Sequence, residues 1–210
     1  MKKYDGKTMT NSSRFTGYTD KLNESDREQL YKRVDRFIKE NREYCDSGNY
    51  QHLCNIFTFM ALYDLLIEKG MSKEEVIDKV SETMYAYMKT QKEKFEKLAR
   101  YPIFWTLIKK IVPVGFKRGS GYGWKYTWYK DEDKDLFRFE CNECIYQKIF
   151  AKYGHSEFGP IFCKNDILVY GSLSSIDFKR TGTLCQGYEK CDFSFRRYPK
   201  GQPFERSKSQ

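Results

Sequence analysis

Residues 124–129, Trp-Lys-Tyr-Thr-Trp-Tyr, and residues 136–141, Leu-Phe-Arg-Phe-Glu-Cys, decide the class of this chain. Each alternates large apolar residues with polar ones at a period of two, the pattern of a strand buried on one face. The acidic stretch Asp131–Asp135 between them reads as a turn, so the two segments are expected to pair as an antiparallel hairpin. A second pair is expected from residues 176–184 and 191–198, joined by the turn Gln186-Gly187-Tyr188-Glu189-Lys190. Between the pairs, residues 143–153 have helical spacing and stop at Gly154.

Upstream the period changes from two to 3.6. Ser25-x-x-Glu28 is a capping-box pattern ahead of Leu30, Val34, Phe37 and Ile38, which predicts a helix over 25–44. Ser72-x-x-Glu75 is another, ahead of Val76, Val80, Met84, Tyr87, Gln91, Phe95 and Leu98 on one face. Residues 50–69 form a helix between them, stopped by Gly70. Its 56–67 stretch is apolar on almost every side, as in a buried central helix. After Pro113 the glycines at 115, 119, 121 and 123 break the chain. The class is α+β: a helical half of three to four helices (24–113), then an antiparallel sheet with one or two packed helices (114–198). These form a single domain over 24–198, and residues 1–23 and 199–210 read as flexible basic tails.

The 210 residues are 40% hydrophobic and 32% charged, a globular balance with enough chain for a core, and 17% are aromatic. The formal net charge of +9 suggests a polyanion partner until it is located. Residues 1–23 hold +3 and residues 196–210 hold +4, so the body is nearly neutral. With no helix-turn-helix, zinc-finger or RNA-recognition signature in the body, nucleic acid is not expected as a partner. The polar N-terminus lacks the apolar core of a secretory signal. The longest apolar region, Tyr101–Phe116, is interrupted by Lys109, Lys110 and Pro113, which predicts no membrane span. Core burial is expected there rather than an amphipathic segment on a membrane surface. Seven cysteines at irregular spacing suit reduced thiols in a cytoplasm better than a disulfide framework.

Five of the seven lie after residue 140: Cys141, Cys144, Cys163, Cys185 and Cys191. Cys141-x-x-Cys144 has the spacing of half a zinc site, but no second Cys-x-x-Cys completes it. A redox dithiol, a nucleophilic thiolate and plain buried thiols are the other readings. Cys45 and Cys54 in the helical half read as buried only. Asp166 follows Cys163 by three residues. Arg180 and Thr183 fall on the predicted 176–184 strand, where an arginine among apolar neighbours either sits salt-bridged at a rim or clamps a carboxylate. His155 reads as an exposed loop histidine.

Several motifs recur in order: Cys144-Ile-Tyr146, Phe150, Gly154, Glu157-Phe158-Gly159-Pro160-Ile161-Phe162-Cys163, Asp166, Phe178-Lys-Arg180-Thr181-Gly-Thr183 and Gly187-x-x-x-Cys191-Asp192-Phe193. Together they resemble the L-2-amino-thiazoline-4-carboxylic acid hydrolase family over about residues 124–197. Cys141, Cys185 and His155 lie outside that pattern. The resemblance implies an intracellular, bacterial-type hydrolase that opens or cleaves a small carbon–nitrogen or carbon–sulfur substrate carrying a carboxylate, without a cofactor. A homodimer is left open. A more distant likeness, to vinyl-reductase-type small-molecule-binding domains, implies a zinc site at positions held here by Arg180, Thr183 and Cys191. Two of its three ligands are thus replaced, one by a cation, so no metal is expected. For such a hydrolase the expected catalytic set is Cys163 as nucleophile and Asp166 as base, orienter or protonated acid, with Cys144 and Cys191 as further candidates. Arg180, Thr183, Tyr146 and Trp124 are the expected substrate-binding set. The alternative is a non-enzymatic binding domain, a sensor or carrier, using the same pocket.

Overall fold

Eight α-helices and one four-stranded sheet form within residues 2–171 and 173–198, the part of the chain that the computed structural model describes. The chain divides into two units, Met1–Tyr87 with Gly115–Gly123 and Met88–Val114 with Trp124–Gln210. This differs from the single domain expected over 24–198 with a change of character at 113/114. The division instead falls inside two long helices, α5 (Lys73–Ala99) and α6 (Phe104–Gly119).

The first unit contains α1 (Gly6–Asn11), the single turn α2 (Thr16–Thr19), α3 (Glu24–Glu40) and α4 (Tyr50–Glu68). The capping box that opens α5 forms as its sequence requires. The Ser72 N–H donates to the Glu75 carboxylate at 2.9 Å and the Glu75 N–H donates to the Ser72 hydroxyl at 3.2 Å. For α3 the cap is Asn23 rather than Ser25: its side-chain oxygen accepts the Asp26 N–H at 2.9 Å. The central role expected of α4 holds, with Leu53, Ile56, Phe57, Phe59, Ala61, Leu62 and Leu65 wholly buried.

Residues 1–23 are not a tail where they are described. Met9 and Phe15 are fully buried, and the Phe15 ring lies 5.7 Å from that of Phe59 in α4. The Gly6 N–H donates to the Asp35 carboxylate at 2.7 Å, and the Arg14 N–H to the Asn55 side-chain oxygen at 2.9 Å. The segment escapes periodicity analysis because it inserts isolated apolar side chains from short turns, without presenting a continuous stripe. The second expected tail, 199–210, lies outside the described residues.

The second unit carries β1 (Lys125–Trp128), β2 (Leu136–Glu143), β3 (Ile176–Lys179) and β4 (Cys191–Arg197). Their order is β1-β2-β4-β3, and every pairing is antiparallel. The 124–141 hairpin is present as the alternation predicts. Between β2 and β3 lie α7 (Ile145–Lys152) and α8 (Gly159–Tyr170). The β2–β4 register pairs Phe137 with Phe195, Phe139 with Phe193 and Cys141 with Cys191. One face of the sheet is therefore a layer of rings: Phe139 and Phe193 stack at 4.6 Å, Trp128 and Phe139 at 4.7 Å, and Phe178 packs on Phe195 at 4.9 Å. Trp105, near the start of α6, donates its indole N–H to the Lys134 carbonyl in the β1–β2 turn at 3.0 Å.

Gly159-Pro160 opens helix α8, whose first turn accommodates Pro160 because no intrahelical N–H is needed there. Two local expectations change here. Strand β3 stops at Lys179, so Arg180 and Thr183 lie beyond it, in irregular chain leading to a 3₁₀ turn at Leu184–Gln186. Helix α6 continues through Pro113 to Gly119, although proline denies the Lys109 carbonyl its helical N–H partner. Its Phe104, Trp105 and Ile108 are buried while Leu107, Ile111 and Val114 are exposed, so the apolar region is only half in the core.

Since Met9 and Phe15 fill space inside the first unit, truncating either to alanine should leave a cavity. The expected cost is about 3 kcal/mol each, read from urea unfolding curves, and deletion of residues 1–20 should lower the melting temperature sharply. An unchanged transition in either variant would restore the tail reading.

Candidate active site

A change of composition along the aromatic face of the sheet builds the site. Strand alternation that buries Phe137 and Phe139 also buries Cys141, and the register sets Cys191 opposite it. Leaving β2, the chain turns into α7 with Cys144 as its N-cap, in extended conformation. The Cys144 sulfur lies beside the Cys141 and Cys185 thiols and near the N–H groups of Gln147 and Tyr146 at the helix start, while the Cys141 thiol donates to the Glu143 carbonyl at 3.1 Å. Cys185, on the 3₁₀ turn, bonds in turn to Cys163 of α8, which the Thr183 hydroxyl also reaches. Cys191 accepts the Leu184 N–H at 3.2 Å and bonds Cys141. Five sulfurs thus run in one connected series: 191, 141, 144, 185, 163.

Of the expected residues, Cys144, Cys163, Thr183 and Cys191 are brought together. Cys141 and Cys185 join them although neither belongs to the recognised motif pattern. Cys141 was legible from strand alternation, whereas no local signal places Cys185. Its position depends on Gly159: a Cβ there would lie 2.6 Å from the Cys185 sulfur, so only a bare Cα lets α8 approach. Tyr146 and Trp124 sit edge to face at 6.1 Å, and Tyr146 packs on Phe162 at 5.0 Å, forming a ring-lined flank at the start of α7.

Asp166 lies one helical turn beyond Cys163 and forms an ion pair with Arg180 at 2.6 Å. Arg180 also donates to the Cys163 carbonyl at 3.0 Å, rests over the Phe193 ring at 5.7 Å, and has a side chain only 5% exposed. Asp192 was not singled out as a site residue, yet it fixes the loop that carries Arg180 and Thr183. Its carboxylate accepts the Thr181 N–H at 2.9 Å, the Thr181 hydroxyl at 2.6 Å and the Gly182 N–H at 2.9 Å. Thr183 is wholly buried, and its hydroxyl donates to the Gln186 side-chain oxygen at 3.0 Å. His155 stacks on Phe158 at 4.6 Å and lies 3.4 Å from Glu157.

The thiols differ in electrostatic state. The neighbouring Cys141 and Cys185 thiols hold Cys144 well below the ordinary thiol range against the effect of burial, and the α7 N–H groups add to it. Cys163 is lowered too: the Cys185 hydrogen bond leads, burial opposes it, the Thr183 hydroxyl supports it, and the Asp166 and Cys144 charges oppose it. Cys141, beside Cys144 and Cys191, and Cys185, beside Cys144 and Cys163, are driven upward by those sulfurs and by burial. Among the described residues, no group of three or more His, Cys, Asp or Glu side chains is disposed to hold a metal ion.

An α+β chain with a buried thiol series between helix N-terminus, loop and sheet is the class that these features define. A sequence model described as L-2-amino-thiazoline-4-carboxylic acid hydrolase matches residues 51–195, more than half of the chain. The chain belongs to this family. The match reaches well into the helical part, where no motif is legible. No curated protein and no solved structure matches the chain.

The Asp192 carboxylate should matter to stability in a pH-dependent way. Burial pushes its pKa up, but the Thr181 hydroxyl and the Gly182 and Thr181 N–H groups outweigh that and leave it below 3.8. An acid with a depressed folded pKa stabilises the fold above its unfolded value, and the contribution is lost as pH falls through the folded one. Asp192→Asn should therefore cost about 2 kcal/mol at neutral pH, with the gap to wild type closing as the pH is taken below 3.8. A gap that stays constant into acid would assign the loss to something other than this carboxylate.

Proposed function

We propose that this chain is a hydrolase that opens a small cyclic carbon–nitrogen/carbon–sulfur substrate carrying a carboxylate, of the 2-amino-thiazoline-4-carboxylate type, with Cys163 as nucleophile. Family membership supports the substrate class. One observation carries the choice of residue: of the seven thiols, Cys163 alone is both partly open and held toward the thiolate. Cys144 is held further toward the thiolate but is buried, and Cys45 and Cys185 are partly open but pushed up.

In this reading the Cys163 sulfur attacks the amidine-like carbon, which lies between ring sulfur, ring nitrogen and the exocyclic nitrogen. As the new carbon–sulfur bond forms, the ring carbon–sulfur or carbon–nitrogen bond at that carbon breaks, and the departing ring atom takes the proton of the Cys185 thiol beside the Cys163 sulfur, a proton that the attacking water of the next step restores. Water then releases the product from the sulfur. Cys144 flanks the Cys185 thiol on its other side, where a charge of its own opposes the Cys163 thiolate. Tyr146 and Trp124 are assigned to the apolar face of the substrate, and Cys191 to support of Cys141.

Arg180 takes a positioning role in place of the carboxylate clamp expected from sequence. With one arm on Asp166, the other on the Cys163 carbonyl and its side chain enclosed, it braces the turn of α8 that presents the sulfur. Asp166, committed to Arg180, acts through that brace rather than as a free base.

Cys163→Ala should abolish turnover of 2-amino-thiazoline-4-carboxylate, by more than about a thousandfold, with the melting transition unchanged. Cys191→Ala should retain most of it. Iodoacetamide should label Cys163 first, with a rate that reaches half-maximum below pH 9.0, and Cys185→Ala should move that midpoint upward. Full turnover in Cys163→Ala would remove the nucleophile assignment. Stoichiometric binding of the acid by wild type without turnover would favour a binding domain.

A further inference from the structure

Cys185 packs on the face of α8 that carries Cys163. A Cβ at Gly159 would fall 2.6 Å from both the Cβ and the sulfur of Cys185, so that side chain lies against the first turn of the helix. Cys163 follows Gly159 by four residues, one helical turn on the same side. Helix side chains tilt toward the N-terminus, which leans the Cys163 sulfur back over that turn. The Cys185 thiol meets it there, with the Thr183 hydroxyl beside Cys163 as well. The turn that carries Cys185, Leu184–Gln186, is held in place by the Leu184 N–H on the Cys191 sulfur. All of these residues belong to the second unit.

Exposure divides the five sulfurs. Cys141, Cys144 and Cys191 are buried, whereas Cys163 and Cys185 are both partly open. A small oxidant arriving from water therefore meets this pair before the other three. The Cys185 contact holds Cys163 toward the thiolate, the form that reacts with peroxides. Cys185, pushed up first by Cys144 and then by Cys163 and burial, remains a thiol beside it. An open, low-pKa sulfur in contact with a second thiol is poised to oxidise reversibly, because the second sulfur can close on the first.

We propose that hydrogen peroxide joins Cys163 to Cys185 in a reversible disulfide. In the first step the Cys163 thiolate attacks one peroxide oxygen. The oxygen–oxygen bond breaks, hydroxide leaves, and the sulfur becomes a sulfenic acid. In the second, the Cys185 sulfur attacks the Cys163 sulfur. A sulfur–sulfur bond replaces the sulfur–oxygen bond, and the departing hydroxyl takes the Cys185 proton and leaves as water. Two electrons pass from the two sulfurs to the peroxide, and a dithiol returns them by exchange. The bond needs only the two thiols and the oxidant. Its consequence, a reversible loss of turnover, rests on Cys163 being the nucleophile.

The test treats the full chain with a small excess of hydrogen peroxide and maps it by mass spectrometry without reduction. Wild type should lose two hydrogens per chain, about 2 Da, yield a peptide cross-linked between Cys163 and Cys185, and return to its starting mass in dithiothreitol. In Cys185→Ala, the share of reacted Cys163 that ends as sulfinic or sulfonic acid, beyond rescue by dithiothreitol, should rise by about tenfold or more. Should the alanine variant misfold, Cys185→Ser should show the same rise. A wild-type bond between any other pair, no bond at all, or over-oxidation of Cys163 to the same extent with and without the Cys185 thiol overturns the proposal. These readouts need no substrate. Full turnover in Cys163→Ala, with the cross-link present in wild type, would remove the nucleophile assignment and leave this inference standing.

Discussion

The antiparallel register of β2 on β4 sets Phe139 against Phe193 and, two residues on, Cys141 against Cys191. A slip of one residue would turn the rings outward and carry both cysteines to the opposite face. Ring stacking at 4.6 Å between Phe139 and Phe193 resists such a slip, so the aromatic layer acts as the gauge that positions the first two sulfurs. Everything beyond them is referred to that edge: Cys144 follows Cys141 by three residues, and Cys191 anchors Leu184 and with it the turn that carries Cys185.

Five thiols packed together would be inert if each were simply buried, because burial alone favours the neutral form. What separates them is what each sulfur meets. Neighbouring thiols lower Cys144 and Cys163, with the N–H groups of α7 adding a smaller part at Cys144, while Cys141 and Cys185 are raised. The Cys185 thiol lies beside both the Cys144 and the Cys163 sulfur and lowers each of them. Arg180 and Asp166 contribute to this through geometry, by tying α8 to the loop after β3.

Asp192 shows how a motif can be structural and still belong to the site. Its carboxylate gathers the Thr181 and Gly182 backbone, and the loop so formed delivers Arg180 to Asp166 and Thr183 to Cys163. Gly182 permits the same loop to pass under Tyr188, where a Cβ would meet the ring at 2.4 Å. The pairing of Arg180-Thr181-Gly182-Thr183 with Cys191-Asp192 therefore reflects one contact network seen from two places in the chain.

The amino-acid sequence alone determined the α+β class, the 124–141 hairpin, the central helix α4 and the Ser72 cap, because each is written in residues close together and read by a fixed period. It also singled out Cys144, Cys163, Thr183 and Cys191 as an ordered set. The burial of Met9 and Phe15, the helix over Cys163, the early end of β3 and the exposure of Leu107, Ile111 and Val114 on α6 were decided only by tertiary structure. Each depends on what another segment leaves open or covers. Phe59 receives Phe15, and Cys185 needs Gly159 to reach the series. The same apolar letters in α6 serve a core on one side and face water on the other. Period and composition count apolar residues, but only packing tells which of them are covered.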